Sequence, residues 1–279
     1  MIIVNLTTTS NRLHLCSATV FSLIQQSLLP EKIIIWVSES GYLSDEGVLS
    51  IPEWVNFLNG FLKYKEHVIE VRYTTNTGPY RKIIPALRTF AKDDILVYAD
   101  DDVIYGEEWL KKIITRFQIN NGEFIVAPRV RLIKKNILNI NKSYNAYPIC
   151  FSDSLLEYQY IITGVGGCAL SISHVDNVFI SMDDYLDVAP TTDDLWISKI
   201  IQLSGSKLLV CPEAIIDVQE VWHEKFTLNS INTFRLKNVF PLGLIFKVYY
   251  KILSYFGFSI SSNDRNLKAI NHFFKIKGL

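Results

Sequence analysis

The stretch Ile95-Leu96-Val97-Tyr98-Ala99 is followed at once by Asp100-Asp101-Asp102. A continuous apolar run of this length is typical of a buried strand in an α/β sheet, and ligands bind at the carboxyl ends of such strands. Three adjacent carboxylates repel one another, so they need compensating positive charge, and Mg2+ or Mn2+ prefers carboxylate oxygen. The alternative is an acidic turn in which Asp102 caps a helix that begins near Glu107.

Strand and helix signals alternate along the chain around this stretch. Apolar runs predict strands at 2–7, 33–38, 68–73, 95–99, 124–126 and 208–211. Apolar residues at helical spacing, together with Pro or Gly near the helix ends, predict helices at 11–26, 85–91 and 107–120. A further helix is predicted to begin after Thr192, its cap, and to end at residue 204. Strands that alternate with helices form mostly parallel sheets, so we predict an α/β fold with helices flanking the sheet.

Composition indicates a globular chain whose charge is unevenly placed. Of the 279 residues, 49% are hydrophobic and 20% are charged, which excludes a disordered protein. Basic and acidic residues balance at 28 each, but residues 235–279 carry eight Lys or Arg and one acid. A basic tail on an acidic body indicates a partner for the tail. We expect no nucleic-acid partner.

The tail mixes aromatic and apolar residues with Lys247 and Lys251 over residues 239–260. This pattern suits a helix lying on an anionic membrane surface, or equally a helix packed on the domain or on a second subunit. No apolar run reaches the ~18 residues of a membrane span. The N-terminus lacks a signal-peptide pattern and the four cysteines lack Cys-x-x-Cys spacing. We therefore expect a cytoplasmic location, with possible peripheral contact at the inner face of the cell membrane.

Two further motifs carry candidate functional residues. A glycine-rich turn that includes Gly166 and Gly167 precedes an apolar stretch, and it either approaches a ligand closely or is an ordinary tight turn. It is not a phosphate-binding P-loop, because no Gly-Lys-Ser/Thr follows. The pair Asp193-Asp194 opens a predicted helix, where acids are also favoured by the helix dipole alone.

The order of these features resembles the nucleotide-sugar glycosyltransferases of the GT-A type, most closely the family 2-like group that builds bacterial surface polysaccharides such as capsule or lipopolysaccharide. Four motifs carry the resemblance: Thr7-Thr8-Thr9-Ser10-Asn11-Arg12, Asn76-Thr77-Gly78-Pro79-Tyr80-Arg81-Lys82, Asp100-Asp101-Asp102 and Asp193-Asp194. The chain departs from the family at two positions, with Asp193 in place of Glu and Glu39 in place of a base-reading Asp. It also lacks the Gln/Arg-x-x-Arg-Trp motif of processive synthases, which favours addition of a single sugar.

The resemblance implies a domain division and substrates. Residues 1–225 would form the GT-A domain, with a nucleotide-sugar half at 1–130 and an acceptor half at 131–225, and 226–279 would be a helical C-terminal segment. The donor would be a nucleoside diphosphate sugar, with a UDP-sugar favoured, and the acceptor a glycan or a lipid-linked glycan. The implied donor-binding residues are Thr7, Thr8, Arg12, Glu39, Gly78, Arg81, Lys82, Asp100 and Asp101, with Gly166 and Gly167 in a donor or acceptor loop. For Arg81 and Lys82, a solvated surface role is the alternative.

The implied chemistry is metal-assisted transfer. A divalent cation, Mn2+ or Mg2+, on Asp102 and Asp100 would neutralise the leaving diphosphate. His223 is a candidate third ligand, although a lone histidine is more often structural. The acceptor hydroxyl needs a base, for which Asp194 is the candidate, with Asp193 orienting the loop. Direct attack with one base would invert the anomeric centre.

Two other classes of protein remain open on the residues. A nucleotidyltransferase also places metal-binding aspartates on an α/β sheet, but it would show a glycine-rich basic loop after the first strand. A non-catalytic carbohydrate-binding protein would explain the aromatic content of 13% but not the acidic pairs.

Overall fold

A computed structural model describes residues 1–62, 68–221 and 242–279. The strands are β1 (Ile2–Thr7), β2 (Lys32–Val37), β3 (Ile69–Tyr73), β4 (Ile95–Tyr98), β5 (Val103–Tyr105), β6 (Ile125–Ala127), β7 (Val130–Leu132), β8 (Leu155–Leu156), β9 (Tyr160–Ile162), β10 (Cys168–Leu170), β11 (Leu208–Val210) and β12 (Val218–Glu220). The α-helices are α1 (Leu13–Leu23), α2 (Glu53–Phe61), α3 (Ile84–Thr89), α4 (Trp109–Ile119), α5 (Asn177–Ile180), α6 (Tyr185–Val188), α7 (Asp193–Leu203), α8 (Leu242–Tyr255) and α9 (Ser262–Ile276). Single 3-10 turns lie at Ser10–Arg12, Gly78–Lys82, Tyr144–Ala146, Gly164–Gly166, Ile172–His174 and Pro212–Asp217.

The central sheet has the strand order β3-β2-β1-β4-β10-β6-β11-β8. Its first four strands are parallel, β6 and β11 are parallel, and β10 and β8 run antiparallel to their neighbours. Successive residues of β1 point to opposite faces, so Ile3 lies in one hydrophobic core and Val4 in the other. Both are fully buried, because helices cover both faces. The predicted α/β fold with a mostly parallel sheet is confirmed.

The segment after the three aspartates does not form the helix cap that was one of the two predicted alternatives. Asp102 is followed directly by β5, which pairs with β12 in a separate antiparallel ladder, and α4 begins only at Trp109. The alternative in which Asp102 caps that helix is therefore wrong. The carboxyl ends of β1 and β4 lie side by side, because Asn5 pairs in register with Tyr98. This pairing brings the turn after β1 against the three aspartates.

The described part of the C-terminal segment contributes to the main core. Helix α9 packs on α6 and α7, and its residues Ile270 and Phe274 are fully buried. The ring of Phe274 lies 5.0 Å from that of Trp196, which belongs to α7. The predicted division at residue 225 stays a prediction. No helix within residues 1–62, 68–221 or 242–279 is both long and apolar enough to span a membrane.

Candidate functional site

A cleft of about 320 Å³ opens at the carboxyl ends of β1 and β4. Its wall contains eleven residues that the sequence singled out, namely Thr7, Thr8, Arg12, Gly78, Arg81, Lys82, Asp100, Asp101, Asp102, Asp193 and Asp194. They come from four separate stretches of sequence, which the parallel strands and the start of α7 bring to one edge of the sheet. This edge is where open α/β sheets bind ligands.

Arg12 compensates two of the three strand-end carboxylates. Its Nη2 lies 2.5 Å from Oδ1 of Asp101 and 2.8 Å from Oδ2 of Asp102. Burial raises the pKa of Asp101 to about 6, although the Arg12 guanidinium opposes that rise. The expected compensating charge is thus supplied, in this part of the cleft, by a side chain from the turn after β1.

Lys82 lies among the remaining acids of the cleft. Its Nζ is 2.8 Å from Oδ1 of Asp100, 2.7 Å from Oδ2 of Asp193 and 3.6 Å from Oδ1 of Asp194. Burial opposes the charged ammonium, but the three carboxylates outweigh burial and hold the pKa of Lys82 well above its usual value. The alternative of a solvated surface role is wrong for Lys82, which is 5% exposed, and for Arg81, which is 1% exposed.

Asp194 occupies the first turn of α7 and faces the cleft. Its Oδ1 accepts a hydrogen bond from the backbone N–H of Gly164 (3.0 Å). Burial raises its pKa to about 7, against the opposing effect of Lys82. The Thr192 side chain makes no capping hydrogen bond to α7; its Oγ1 instead accepts from Nδ2 of Asn266 on α9 (3.1 Å). A carboxyl group with a pKa near 7 can take a proton from a substrate at neutral pH.

Gly166 and Gly167 of the glycine-rich turn are not part of the cleft wall, but they support residues next to it. The carbonyl oxygen of Gly166 accepts a hydrogen bond from Nε1 of Trp109 (2.9 Å), and Gly167 has φ +77°. Gly164 is the residue nearest the acids, and a Cβ there would collide with Nζ of Lys82 and with the Asp100 carboxylate. Glycine at 164 therefore leaves room for the Lys82 cluster, which consists of Lys82, Asp100, Asp193 and Asp194.

A buried carboxylate that the sequence reasoning missed fixes the turn after β1. Oδ2 of Asp45 accepts from Nη2 of Arg81 (2.8 Å), and its Oδ1 accepts from the backbone N–H of Ser10 (3.1 Å). Arg81 also donates to the carbonyl oxygen of Thr8 (3.2 Å). Asp45 lies in a segment without strand or helix periodicity, so no sequence signal distinguished it from a surface loop residue.

One of the predicted site residues lies away from the cleft wall. Glu39 is exposed and does not contribute to the cleft wall. His223 lies outside the described residues, so its role as a metal ligand stays a prediction. The sequence reasoning also missed several residues of the cleft wall that follow the strand-end acids in the chain, namely Arg129, Arg131, Tyr144, Thr163, Glu220 and Asn263.

The acids of the cleft offer hard oxygen donors, which suit a divalent cation. The side chains of Asp100 and Asp102 are 29% and 25% exposed, so both are accessible from the cleft. Within residues 1–62, 68–221 and 242–279, no three His, Cys, Asp or Glu side chains form a cluster that could hold a metal ion. A cation on Asp100 and Asp102 would therefore need a further ligand, from substrate, water or a residue outside those ranges.

Comparison with known families gives one match. The sequence model described as Glycosyl transferase family 2 matches residues 6–179. That range contains three of the four motifs singled out above and ends before Asp193. No curated protein matches the chain.

Solved structures give more distant likenesses. The crystal structure of the S. aureus TarS 1-349 fragment is 16% identical with a TM-score of 0.47, covering 75% of this chain and 57% of that one. The same fragment has been solved in complex with UDP, with a TM-score of 0.46. GalNAc-T7, solved with UDP, GalNAc and Mn2+, is 12% identical with a TM-score of 0.48, covering 81% of this chain and 44% of that one. The chain thus spans about half the length of these proteins.

Proposed function

Because the family model covers more than half of it, this chain belongs to glycosyl transferase family 2, and we propose that it transfers one sugar from a nucleoside diphosphate sugar to a hydroxyl group of a glycan or lipid-linked glycan. Membership of the family confirms the resemblance predicted from the order of the motifs. The donor, the acceptor and the mechanism are proposals that rest on the cleft.

The observation that carries the proposal is the Lys82 cluster. One ammonium joins Asp100, at the end of β4, to Asp193 at the start of α7. A group bound at the strand-end acids therefore lies within the same cleft as Asp194. Sugar transfer needs this proximity, because the leaving diphosphate and the attacking hydroxyl must both contact the anomeric carbon.

We assign the donor to the half of the cleft formed by Thr7, Thr8, Arg12 and the strand-end acids. Asp102 and Asp100 would hold the Mn2+ or Mg2+ ion, since they offer accessible carboxylate oxygens. When bound, such an ion supplies positive charge for the leaving diphosphate. Arg12 and Lys82 add positive charge beside the same acids, and the loop that Asp45 fixes would border the nucleotide, for which UDP is the preferred candidate.

We assign the general base to Asp194. Its pKa of about 7 leaves a substantial fraction ionised at neutral pH, so it can accept the proton of the attacking hydroxyl. Asp193 holds Lys82 and so orients the cluster, without contacting the substrate itself in this assignment. Attack by one hydroxyl with one base, on the face opposite the leaving group, inverts the anomeric centre.

A lipid-linked acceptor would place the enzyme at a membrane, and α8 offers a suitable surface. Val248, Tyr249 and Ile252 are each more than half exposed, and Lys251 is exposed beside them. The loop before Asn141 adds Ile137 and Leu138, which are 88% and 60% exposed. This loop is tied to α8, because Nδ2 of Asn136 donates to the carbonyl oxygen of Tyr255 (3.1 Å). We propose peripheral contact with the inner face of the cell membrane through this surface.

The test is nucleotide binding followed by donor turnover. Thermal protection by UDP and GDP, with and without Mn2+, is measured first, and hydrolysis of a panel of nucleotide sugars second. Protection by a nucleoside diphosphate together with hydrolysis of its sugar supports the proposal. Preference for CTP or UTP would instead indicate nucleotidyl transfer, and no response to any nucleotide would indicate a carbohydrate-binding protein.

A further inference from the structure

We propose that Arg129 and Arg131 bind an anionic group, a phosphate or a carboxylate, carried by the acceptor. The inference rests on the proposed function and adds a substrate class to it. Both arginines line the cleft, and neither was singled out by the sequence.

Arg131 lies in β7 and Arg129 immediately precedes that strand. Val130 lies between them and is fully buried in the hydrophobic core. Because neighbouring side chains of extended backbone point in opposite directions, Arg131 points away from that core, and both arginines line the cleft. Gly166 gives Arg129 room, since a Cβ on Gly166 would lie only 2.7 Å from Cβ of Arg129.

These two arginines have weaker contacts with carboxylates than the other cationic side chains in the cleft. Arg12, Arg81 and Lys82 each lie within 2.8 Å of a carboxylate oxygen. Arg131 instead donates to the carbonyl oxygen of Tyr147 (2.9 Å), and its guanidinium carbon lies 5.0 Å from the centre of the Tyr144 ring. Neither of those partners carries a charge.

Arg129 is similarly available to an anion. Its Nη1 contacts Oγ1 of Thr163 (3.3 Å), and its Nη2 lies 3.9 Å from the carboxylate of Glu220. The Glu220 side chain is 57% exposed, so this pair is screened by solvent and contributes little. The cleft therefore holds two guanidinium groups with N–H donors left for a ligand.

We assign the anion to the acceptor, because the strand-end acids already have two cationic side chains, Arg12 and Lys82, beside them for the donor diphosphate. Thr163, which Arg129 contacts, immediately precedes Gly164, and the N–H of Gly164 donates to Asp194 (3.0 Å). Arg129 thus lies beside the turn that contacts the proposed base. An anion held here lies on the molecule whose hydroxyl reaches Asp194.

The chemistry fits phosphate and carboxylate equally. A guanidinium group presents paired N–H donors that match two oxygens of either anion. The Tyr144 ring and the Tyr147 carbonyl hold the Arg131 guanidinium in place, so little side-chain entropy is lost on binding. The predicted acceptors are therefore a phosphorylated polyol or sugar, or a glycan that contains an acidic sugar.

The experiment uses the full chain and three small probes in calorimetric titrations. These are sn-glycerol 3-phosphate, glucuronate and, as the neutral control, glycerol. We expect at least one anion to bind and glycerol not to bind. Binding should weaken about tenfold in Arg131→Gln and in Arg129→Gln, and less in Arg131→Lys, which retains the charge. Preference between the two anions then identifies the phosphorylated or the acidic-sugar acceptor.

Arg116→Gln is the matched control, because Arg116 pairs with Asp153 and Glu213 outside the cleft and its loss should not change anion binding. The proposal is overturned if neither anion binds. It is also overturned if the double variant Arg129→Gln, Arg131→Gln has the same unfolding temperature as the parent and still binds the anion as tightly. It is also overturned if UDP with Mn2+ displaces the anion, since the arginines would then hold the donor diphosphate. Absence of any nucleotide binding by the parent would overturn the proposed function instead.

Discussion

Nζ of Lys82 lies 2.7 Å from Oδ2 of Asp193. This contact ties the turn before α3 to the first turn of α7, in a cluster that also includes Asp100 and Asp194. Three carboxylates around one buried ammonium leave a net negative charge, which favours a further cation or a cationic part of a ligand in the cleft.

Lys82→Met should destabilise the protein by about 3–5 kcal/mol, because it leaves buried carboxylates without their counter-charge. Chemical denaturation at pH 7.5 measures the loss. Lys112→Met is the control, since Lys112 pairs with Asp217 at a more exposed position and should cost much less. Equal losses in the two variants would mean that Lys82 is not the counter-ion of the cluster.

Asp194→Asn should lower the transfer rate by about 10²–10⁴-fold while donor affinity stays within a few-fold. The substitution keeps the shape, and its Oδ1 can still accept from the Gly164 N–H. Steady-state rates and UDP titrations separate the two quantities. Asp193→Asn should affect stability more than Asp194→Asn does, because Asp193 is the closer partner of Lys82. A fully active Asp194→Asn enzyme contradicts the base assignment.

The pKa of Asp194, raised to about 7 mainly by burial, predicts opposite effects of pH on activity and stability. Activity should rise with pH through about 7, as the base ionises. Between pH ~4 and pH ~7, Asp194 is protonated more often in the folded state than in the unfolded state. Its titration therefore lowers the free energy of unfolding as pH rises through this range. Above pH ~7 the effect levels off. Denaturation of the parent and of Asp194→Asn across pH 4.5–8.5 isolates that contribution. Parallel stability curves for the two proteins would contradict the assigned pKa.

Asp102→Ala should weaken Mn2+-dependent UDP binding by at least about tenfold. Metal affinity falls by that much even when a residue that only hydrogen-bonds to a metal ligand is replaced, and Asp102 is proposed as a ligand itself. Titration of UDP with and without Mn2+ measures the difference. Asp100→Ala should weaken it too, and Asp153→Ala, at an exposed position away from the cleft, should not. If UDP binds the Asp102→Ala variant as tightly as the parent with Mn2+ present, the strand-end acids do not hold the ion.

Ile252→Asp combined with Ile137→Asp should reduce binding to anionic lipid vesicles, because it places negative charge on both parts of the exposed apolar surface. Sedimentation with vesicles measures binding, which should also weaken with added salt, since surface attraction is screened over about 8 Å at physiological ionic strength. Point substitutions are preferable to removal of the tail, because Ile270 and Phe274 belong to the core. Phe57→Asp, on the exposed face of α2, is the control. A parent protein that ignores such vesicles at low salt contradicts the membrane surface.

Local sequence was enough to predict the central strands and the acids of the cleft. Residues 95–99 form an apolar run long enough to identify β4, and the aspartates that follow could only lie at its end. The pairing of β5 with β12 was beyond prediction, since each strand is three residues long and depends on a partner far along the chain. The same holds for the Arg81–Asp45 ion pair, which tertiary packing alone brings together. For α9, the apolar pair Ile270 and Phe274, four positions apart, was a usable signal of a buried helical face.

The packing of Phe274 against Trp196 makes the order of folding matter for this enzyme. The helix that carries Asp193 and Asp194 is covered by a segment synthesised long after it. Until that segment docks, the face of α7 around Trp196 exposes aromatic surface to water, where it can associate with other unfinished chains. Contacts between residues so distant in sequence also slow folding. Mutations in α9 should therefore lower the yield of soluble protein during expression, even though most of them lie outside the cleft.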